Sequence, residues 1–287
     1  MAEPSKKNML LLSGSVAAGN VPDGVTPGFL DFAEPWITEL FAHAAHEKKP
    51  ILFVPYARPG GMSEAEYFKR AQERLGKMGL DAVCAPPEGI TEAHLQNIGG
   101  MFIGGGHTYT LLHTLQQNGA LECIRQKVEE GLPYLGSSAG TIITCPTIKT
   151  TNDMPGPAHD VIDLKALRLL GAHINCHYMD DGMRDPQHQG ETRDTRLKEF
   201  CAFNPHTPCL ALYEGQALRV TGAQTQILTS DRSRGTRPPL FLNDTREEIA
   251  CEVGVPKDVS HIFVVRETRG SQREACACGG WAAWDAS

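Results

Sequence analysis

Along the first half of the chain, short apolar runs alternate with amphipathic stretches, the rhythm of a βαβ succession. Residues 9–13, 51–55, 81–84, 100–103 and 134–136 read as strands, separated by helix-like segments at 32–48, 63–78, 109–118 and 120–131. The second helix carries end signals: Ser63 can cap it, Glu64 and Glu66 fall in its first turn, and Gly79 follows its last periodic residue. Strands that are apolar throughout imply a parallel sheet covered on both faces, hence an α/β fold. After Ala172 the pattern changes, and 209–213, 217–221, 224–229, 239–242 and 261–265 read as short strands with one strongly helical stretch, 191–203, before them. These are expected to extend the same sheet as antiparallel edge strands.

Pro/Gly-rich stretches at 19–28 and 232–239 read as loops, and no repeat divides the chain. One domain over residues 1–267 is expected, followed by a polar, aperiodic and flexible tail at 268–287. With 287 residues, 41% of them hydrophobic, the chain can bury a substantial core. A net charge of -7 supplies no broad basic field for nucleic acid or an anionic membrane, which leaves small molecules or peptides as partners. The nine cysteines are odd in number and form no C-x-x-C pair, which argues against a disulfide framework and a structural zinc site. Cys276 and Cys278 are read as incidental thiols, and no metal is assigned. No apolar run approaches the roughly 18 residues of a membrane span, and a cytoplasmic location is expected.

The chemistry concentrates where the fifth strand runs into Gly136-Ser137-Ser138-Ala139-Gly140. In a G-x-S-x-G turn, small flanking residues let the backbone bend sharply enough to lift the serine hydroxyl out of the sheet. The pentapeptide alone is also compatible with an ordinary strand-to-helix connection. Asp153, fifteen positions past Ser138, reads as a fixed acidic partner of the serine. Gly104-Gly105-Gly106, after the fourth strand, can bring a backbone N–H beside that of Ala139 to cradle an oxyanion. Neither nucleotide-binding glycine motif is completed there. A serine needs a base, and of eleven histidines His177 is favoured because it ends an apolar run. His173 is its rival, since alternation puts 173, 175 and 177 on one face.

Ser138 in G-S-S-A-G, the run from Cys145 to Pro155 (C-P-T-I-K-T-T-N-D-M-P), Ile174-Asn175-Cys176-His177 and Gly190-Glu191-Thr192-Arg193 together resemble peptidase E, the α-aspartyl dipeptidase family of serine peptidases. The resemblance spans roughly residues 8–230, with its signature between 100 and 200. It implies a flavodoxin-like fold related to class I glutamine amidotransferase domains. It also implies Ser138 as nucleophile, His177 as general base and acid, Asp153 as the group that orients the imidazole, and Gly106 and Ala139 as oxyanion donors. The implied reaction is hydrolysis of the bond after an N-terminal aspartate, with Arg193 clamping its side-chain carboxylate and no cofactor involved. The plainer reading of Arg193 is a solvated helix face.

Three departures stand out: His107 in place of asparagine after the triple glycine, Ser137 in place of a larger residue, and Cys176 in place of proline. His107 and Ser137 are expected to line the substrate pocket, and Cys176 to leave His177 usable. The loop at 14–30 and the stretch between His177 and Gly190 look longer than usual, and the tail has no counterpart in the resemblance. Competing readings are a cyanophycinase-like or isoaspartyl peptide hydrolase, against which T-N-D-M-P speaks, and a catalytically silent binding protein. A cysteine amidotransferase is disfavoured by Ser138 at the elbow. Oligomeric state stays open, a homodimer included.

Overall fold

The computed structural model of the chain describes residues 5–21, 24–57, 61–154, 163–180 and 190–263. The expected tail lies outside these residues, as does most of the stretch between His177 and Gly190. Its strands are β1 (Asn8–Leu12), β2 (Ile51–Val54), β3 (Ala82–Cys84), β4 (Gly100–Ile103), β5 (Tyr134–Ser137), β6 (His173–Tyr178), β7 (Cys209–Tyr213), β8 (Gln216–Thr221), β9 (Gln224–Thr229), β10 (Pro239–Leu242), β11 (Thr245–Glu248) and β12 (Lys257–Asp258). The α-helices are α1 (Glu34–Leu40), α2 (Ala42–Glu47), α3 (Glu64–Lys77), α4 (Thr108–Gln117), α5 (Ala120–Glu129), α6 (Ala139–Ile142), α7 (Arg193–Phe203) and α8 (Ser260–Phe263).

The larger sheet has the order β12-β9-β8-β1-β5-β4-β2-β3. Strands β1 to β5 are mutually parallel, and β8, β9 and β12 continue the sheet antiparallel from β1. Period-2 alternation sends Leu10, Leu12, Phe53, Phe102 and Leu135 to one face, against Ile37 and Leu40 of α1 and Tyr67, Ala71 and Leu75 of α3. Met9, Leu11, Leu52, Val54, Met101 and Ile103 point the other way, to Leu111, Leu112 and Leu115 of α4 and Ile124 and Val128 of α5. Burial on both sides is why these strands read as unbroken apolar runs, each such leucine or phenylalanine contributing about 1.5–3 kcal/mol of transfer free energy. At the start of α3, the Ser63 hydroxyl accepts the Glu66 N–H (3.2 Å) and the Glu66 carboxylate accepts the Ser63 N–H (2.8 Å), a capping box that fixes the helix entry.

The second half departs from the expected single sheet. Only β8, β9 and β12 extend the larger sheet, while β7 and β10 join β6 and β11 in a separate sheet of order β11-β10-β7-β6. Residues 261–263, the described part of the segment read as a last strand, belong instead to helix α8. Leu210, Leu212 and Ile174 of the smaller sheet pack into the core that holds Met9 and Leu11. Its other face, with Ala211, Tyr213 and Phe241, packs on Leu197, Phe200 and Cys201 of α7. An alternating apolar run specifies a strand but not its partner, and here the partner of β6 is β7, thirty and more residues on.

Candidate active site

The carboxyl ends of β1, β4 and β5 converge, as open α/β sheets require of their ligand crevice, on a cavity of about 330 Å³. Ser15, Val16, Phe29, Met62, Tyr67, Arg70, Gly105, Gly106, Asp153 and His177 line it around Ser138. Ser138 sits at φ 52°, ψ -109°, a conformation costly for a residue with a Cβ. Its neighbours explain how the chain tolerates the bend. A Cβ on Gly136 would stand 2.5 Å from the Gly140 carbonyl oxygen, and one on Gly140 would stand 2.0 Å from that of Ile103. The elbow is therefore glycine at both ends for steric reasons. The Ser138 N–H donates to Leu12 (3.1 Å), which ties the turn to β1.

His177 comes from the end of β6, where the pairing with β7 shifts register between Asn175 and Tyr178. The shift breaks strict alternation: His177 adopts φ 55° and its ring turns toward β5. Gly14 makes room for that ring, since a Cβ there would lie 2.9 Å from its Cε1. The strained turn is held by long-range hydrogen bonds. Ser13 Oγ accepts the His177 N–H (2.9 Å) and donates to the Leu212 carbonyl (2.8 Å), and Asn152 donates to the Cys176 carbonyl (2.7 Å). Asn175 donates to Thr150 O and Asn152 Oδ1, and Thr150 donates to Ile174 O, so alternate residues of the T-T-N-D run, Thr150 and Asn152, are stitched to β6.

Ser138 Oγ lies 2.7 Å from His177 Nε2. With Nε2 accepting that hydroxyl proton, Nδ1–H donates to Glu214 Oε1 at 3.1 Å. Glu214 follows β7 at the turn into β8, and its other oxygen pairs with Arg234 Nε (3.2 Å). The hydrogen bond from His177, aided by Arg234, holds the Glu214 carboxyl below its ordinary range against the opposing effect of burial. Glu214 had no spacing or motif to mark it in the sequence. The one available signal was a Glu-Gly pair at the junction of two strand-like runs.

The expected partnership of Asp153 with His177 is thus replaced by that of Glu214. Asp153 turns instead to α4, where Oδ2 accepts the Thr108 N–H (2.6 Å) and the Thr151 hydroxyl (3.1 Å). It still lines the cavity. Gly106, at φ 140° and with the Ala57 backbone 2.6 Å from where a Cβ would be, presents bare backbone to the same space. Ala139 begins α6 immediately after Ser138.

Two pocket expectations change. Ser137 is fully buried, its hydroxyl without a hydrogen-bond partner among the described residues, and it is not among the residues that line the cavity. His107 caps α4, accepting the Thr110 N–H at Nδ1 (3.2 Å), while Nε2 meets the Met154 carbonyl (2.7 Å), so it clasps the Asp153 loop rather than lining the cavity. His173 is buried, hydrogen-bonded to Thr147 Oγ1 (2.9 Å) and tilted against the Phe200 ring, and desolvation pulls its pKa down to about 4, with Lys149 adding to the effect. Cys176 is buried with its thiol 3.7 Å from the Ser138 carbonyl, and burial raises its pKa.

Arg193 opens α7, half-buried and in no ion pair among the described residues. Burial lowers its pKa first and Arg196 next, and nearby Asp153 opposes both. Its neighbour Asp194 accepts from the Tyr178 hydroxyl (2.5 Å) and pairs with Arg246 (2.8 Å), which fixes the helix start to β6 and β11.

A strained serine at a strand-to-helix elbow, hydrogen-bonded to an imidazole that is itself backed by a carboxylate, defines an α/β serine hydrolase. The family model for peptidase family S51 matches residues 23–228, and the chain belongs to that family of serine peptidases. It is 37% identical over 230 residues to the Drosophila melanogaster protein named "Probable alpha-aspartyl dipeptidase", covering 80% of this chain and 89% of that one. To the peptidase E of Shewanella denitrificans it is 37% identical over 247 residues, covering 86% and 96%. To that of Haemophilus influenzae it is 36% identical over 216 residues, covering 75% and 92%. A solved peptidase from an acI-B1 Actinobacterium shares the fold, with a TM-score of 0.61 at 13% identity over 89% of this chain and 98% of that one. Among the described residues no helix is long and apolar enough to cross a membrane.

Proposed function

We propose that this peptidase hydrolyses dipeptides and short peptides that begin with aspartate, through an acyl-enzyme on Ser138. The observation that carries the chemistry is the 2.7 Å contact of Ser138 with an imidazole whose far nitrogen is held by Glu214. His177 takes the serine proton as Oγ attacks the aspartyl carbonyl, and Glu214 favours the imidazolium so formed. The N–H groups of Gly106 and Ala139 receive the developing oxyanion, His177 returns the proton to the leaving amine, and water then repeats the sequence on the ester. Arg193 is assigned the aspartyl side-chain carboxylate: it is a half-buried guanidinium within the electrostatic influence of Asp153 and with no ion pair of its own among the described residues. The aspartyl preference draws further support from the relatives named for α-aspartyl dipeptidase and peptidase E. The seven described cysteines are all free thiols, in keeping with a cytoplasmic setting.

The test is hydrolysis of Asp-Leu beside β-Asp-Leu, Glu-Leu and Ala-Leu, with Ser138→Ala as control. Asp-Leu is expected to be cleaved in strong preference, with the variant losing at least about 10⁴-fold in kcat while its thermal melt is unchanged. Preferred cleavage of β-Asp-Leu, or activity that survives in the variant, would defeat the reading.

A further inference from the structure

Among the described residues that line the catalytic cavity, Arg70 is the one permanent cation. It stands in the second turn of α3, whose capping box fixes the helix entry. One turn earlier Tyr67 lines the same cavity, and its hydroxyl is hydrogen-bonded to the Gly105 backbone, beside the expected oxyanion donor Gly106. The Arg70 guanidinium lies 4.8 Å from the centroid of the Phe29 ring, a cation–π contact that positions the group without using its N–H donors. The next arginine on the helix behaves differently. Arg74 pairs with Asp31 (3.2 Å) and Glu34 (2.6 Å), whereas Arg70 has no carboxylate partner among the described residues. A guanidinium with its face against an aromatic ring and its fork open is built to receive a carboxylate.

The charges of the substrate class indicate which carboxylate. A dipeptide with N-terminal aspartate carries an ammonium and a side-chain carboxylate on its first residue and a second carboxylate at its C-terminus. Asp153 and Arg193, opposite charges close enough to influence one another, match the two charges of the aspartyl residue. The third charge belongs to the leaving residue, and in the cavity Arg70 remains to meet it. We propose that Arg70 binds the C-terminal carboxylate of the leaving residue, so that the enzyme selects dipeptides by the charge at their far end. This rests on the aspartyl dipeptidase reading above. It adds a length-determining residue to that reading: in a longer peptide the carboxylate lies at least one residue, roughly 3.3–3.6 Å, further from the scissile bond.

Steady-state kinetics on Asp-Leu and its C-terminal amide, Asp-Leu-NH2, test the assignment in the wild-type protein, Arg70→Met and Arg70→Lys. Methionine keeps an apolar stem over Phe29, and thermal melts check that the variants fold. The wild type is expected to prefer the free carboxylate by about 10- to 100-fold in kcat/KM, expressed mainly in KM, the range of a charge-assisted hydrogen bond. Arg70→Met should lose that factor on Asp-Leu and about 3-fold or less on the amide, and Arg70→Lys should recover part of the preference. Equal losses on both substrates, or a wild type indifferent to amidation, overturn the proposal while leaving the dipeptidase reading in place. A variant that instead loses its discrimination between Asp-Leu and Asn-Leu would move Arg70 to the aspartyl side chain and overturn it equally. If the wild type cleaves neither peptide, the dipeptidase reading fails and the Arg70 assignment falls with it.

Discussion

The two sheets divide the proposed catalytic residues between them. The larger sheet supplies Ser138, the proposed nucleophile, and the glycine loop, while the smaller one supplies His177 from β6 and Glu214 from the end of β7. The elbow of the larger sheet is built by short-range sterics, with Gly136 and Gly140 present because a Cβ at either would collide with the nearby main chain. The smaller sheet is placed by long-range hydrogen bonds, through Ser13, Asn152 and Asn175. A reaction centre can therefore be half local and half global in its encoding, and perturbations of the two halves should fail in different ways.

The largest effect should come from the smaller sheet's carboxylate. Glu214→Gln keeps the shape but loses the charge that sustains the Nδ1–H tautomer and the imidazolium, and kcat should fall by about 10³- to 10⁴-fold with little change in KM. Asp153→Asn should cost much less in kcat, because Asp153 binds the Thr108 N–H and not the imidazole. Kinetics of the two variants side by side decide the matter. A greater kcat loss for Asp153→Asn would return the orienting role to Asp153 and make the Glu214 contact incidental.

Gly140→Ala sharpens the contrast from the other side. Its Cβ would lie 2.0 Å from the Ile103 carbonyl oxygen, main chain that cannot swing away, so overpacking should cost about 3 kcal/mol or more. In a chain of this size that lowers Tm by roughly 6–12 °C, measurable by thermal denaturation. A variant with unchanged Tm would show that the elbow relaxes and that the glycine is not sterically required.

That division also explains how far the sequence could be read. The βαβ rhythm located β1 to β5 and the helices between them, because β1, β2, β4 and β5 are buried on both faces and the helices are amphipathic, while the edge strand β3 is short and largely exposed. The Ser138 elbow was legible for the same reason: its glycines answer to neighbours within the motif or on the adjacent strand. Glu214 was not, since only the pairing of β6 with β7 brings it to His177, and a single carboxylate at a turn carries no periodic signal. Asp153 stood in a distinctive run, but the run's polar groups mostly fasten β6 and α4. The assignment of 209–213 and 239–242 to the larger sheet failed because alternation names a strand without naming its neighbour. Ser137 and His107 flank the site in sequence, but complete burial in one case and helix capping in the other keep them out of the cavity lining.

The smallest expected effect concerns how the smaller sheet responds to acid. His173, on the same strand as His177, has its pKa pulled down to about 4, mainly because burial disfavours the imidazolium, against about 6.5 in an unfolded chain. Between those values the unfolded state binds the proton that the folded state refuses. The stability that His173 confers by staying neutral is therefore complete above pH 6.5 and is lost progressively as pH falls toward 4. The full difference amounts to roughly 3 kcal/mol, reached only at the acid end. Replacing His173 by glutamine removes the titration while leaving a polar group near Thr147. Denaturant unfolding from pH 7 to 4 should then show a shallower decline for His173→Gln than for the wild type, whatever its stability at pH 7. Parallel curves would mean that His173 takes up its proton in the folded protein as readily as in the unfolded one, and that other groups, the Glu214 carboxylate among them, carry the acid sensitivity of the catalytic half.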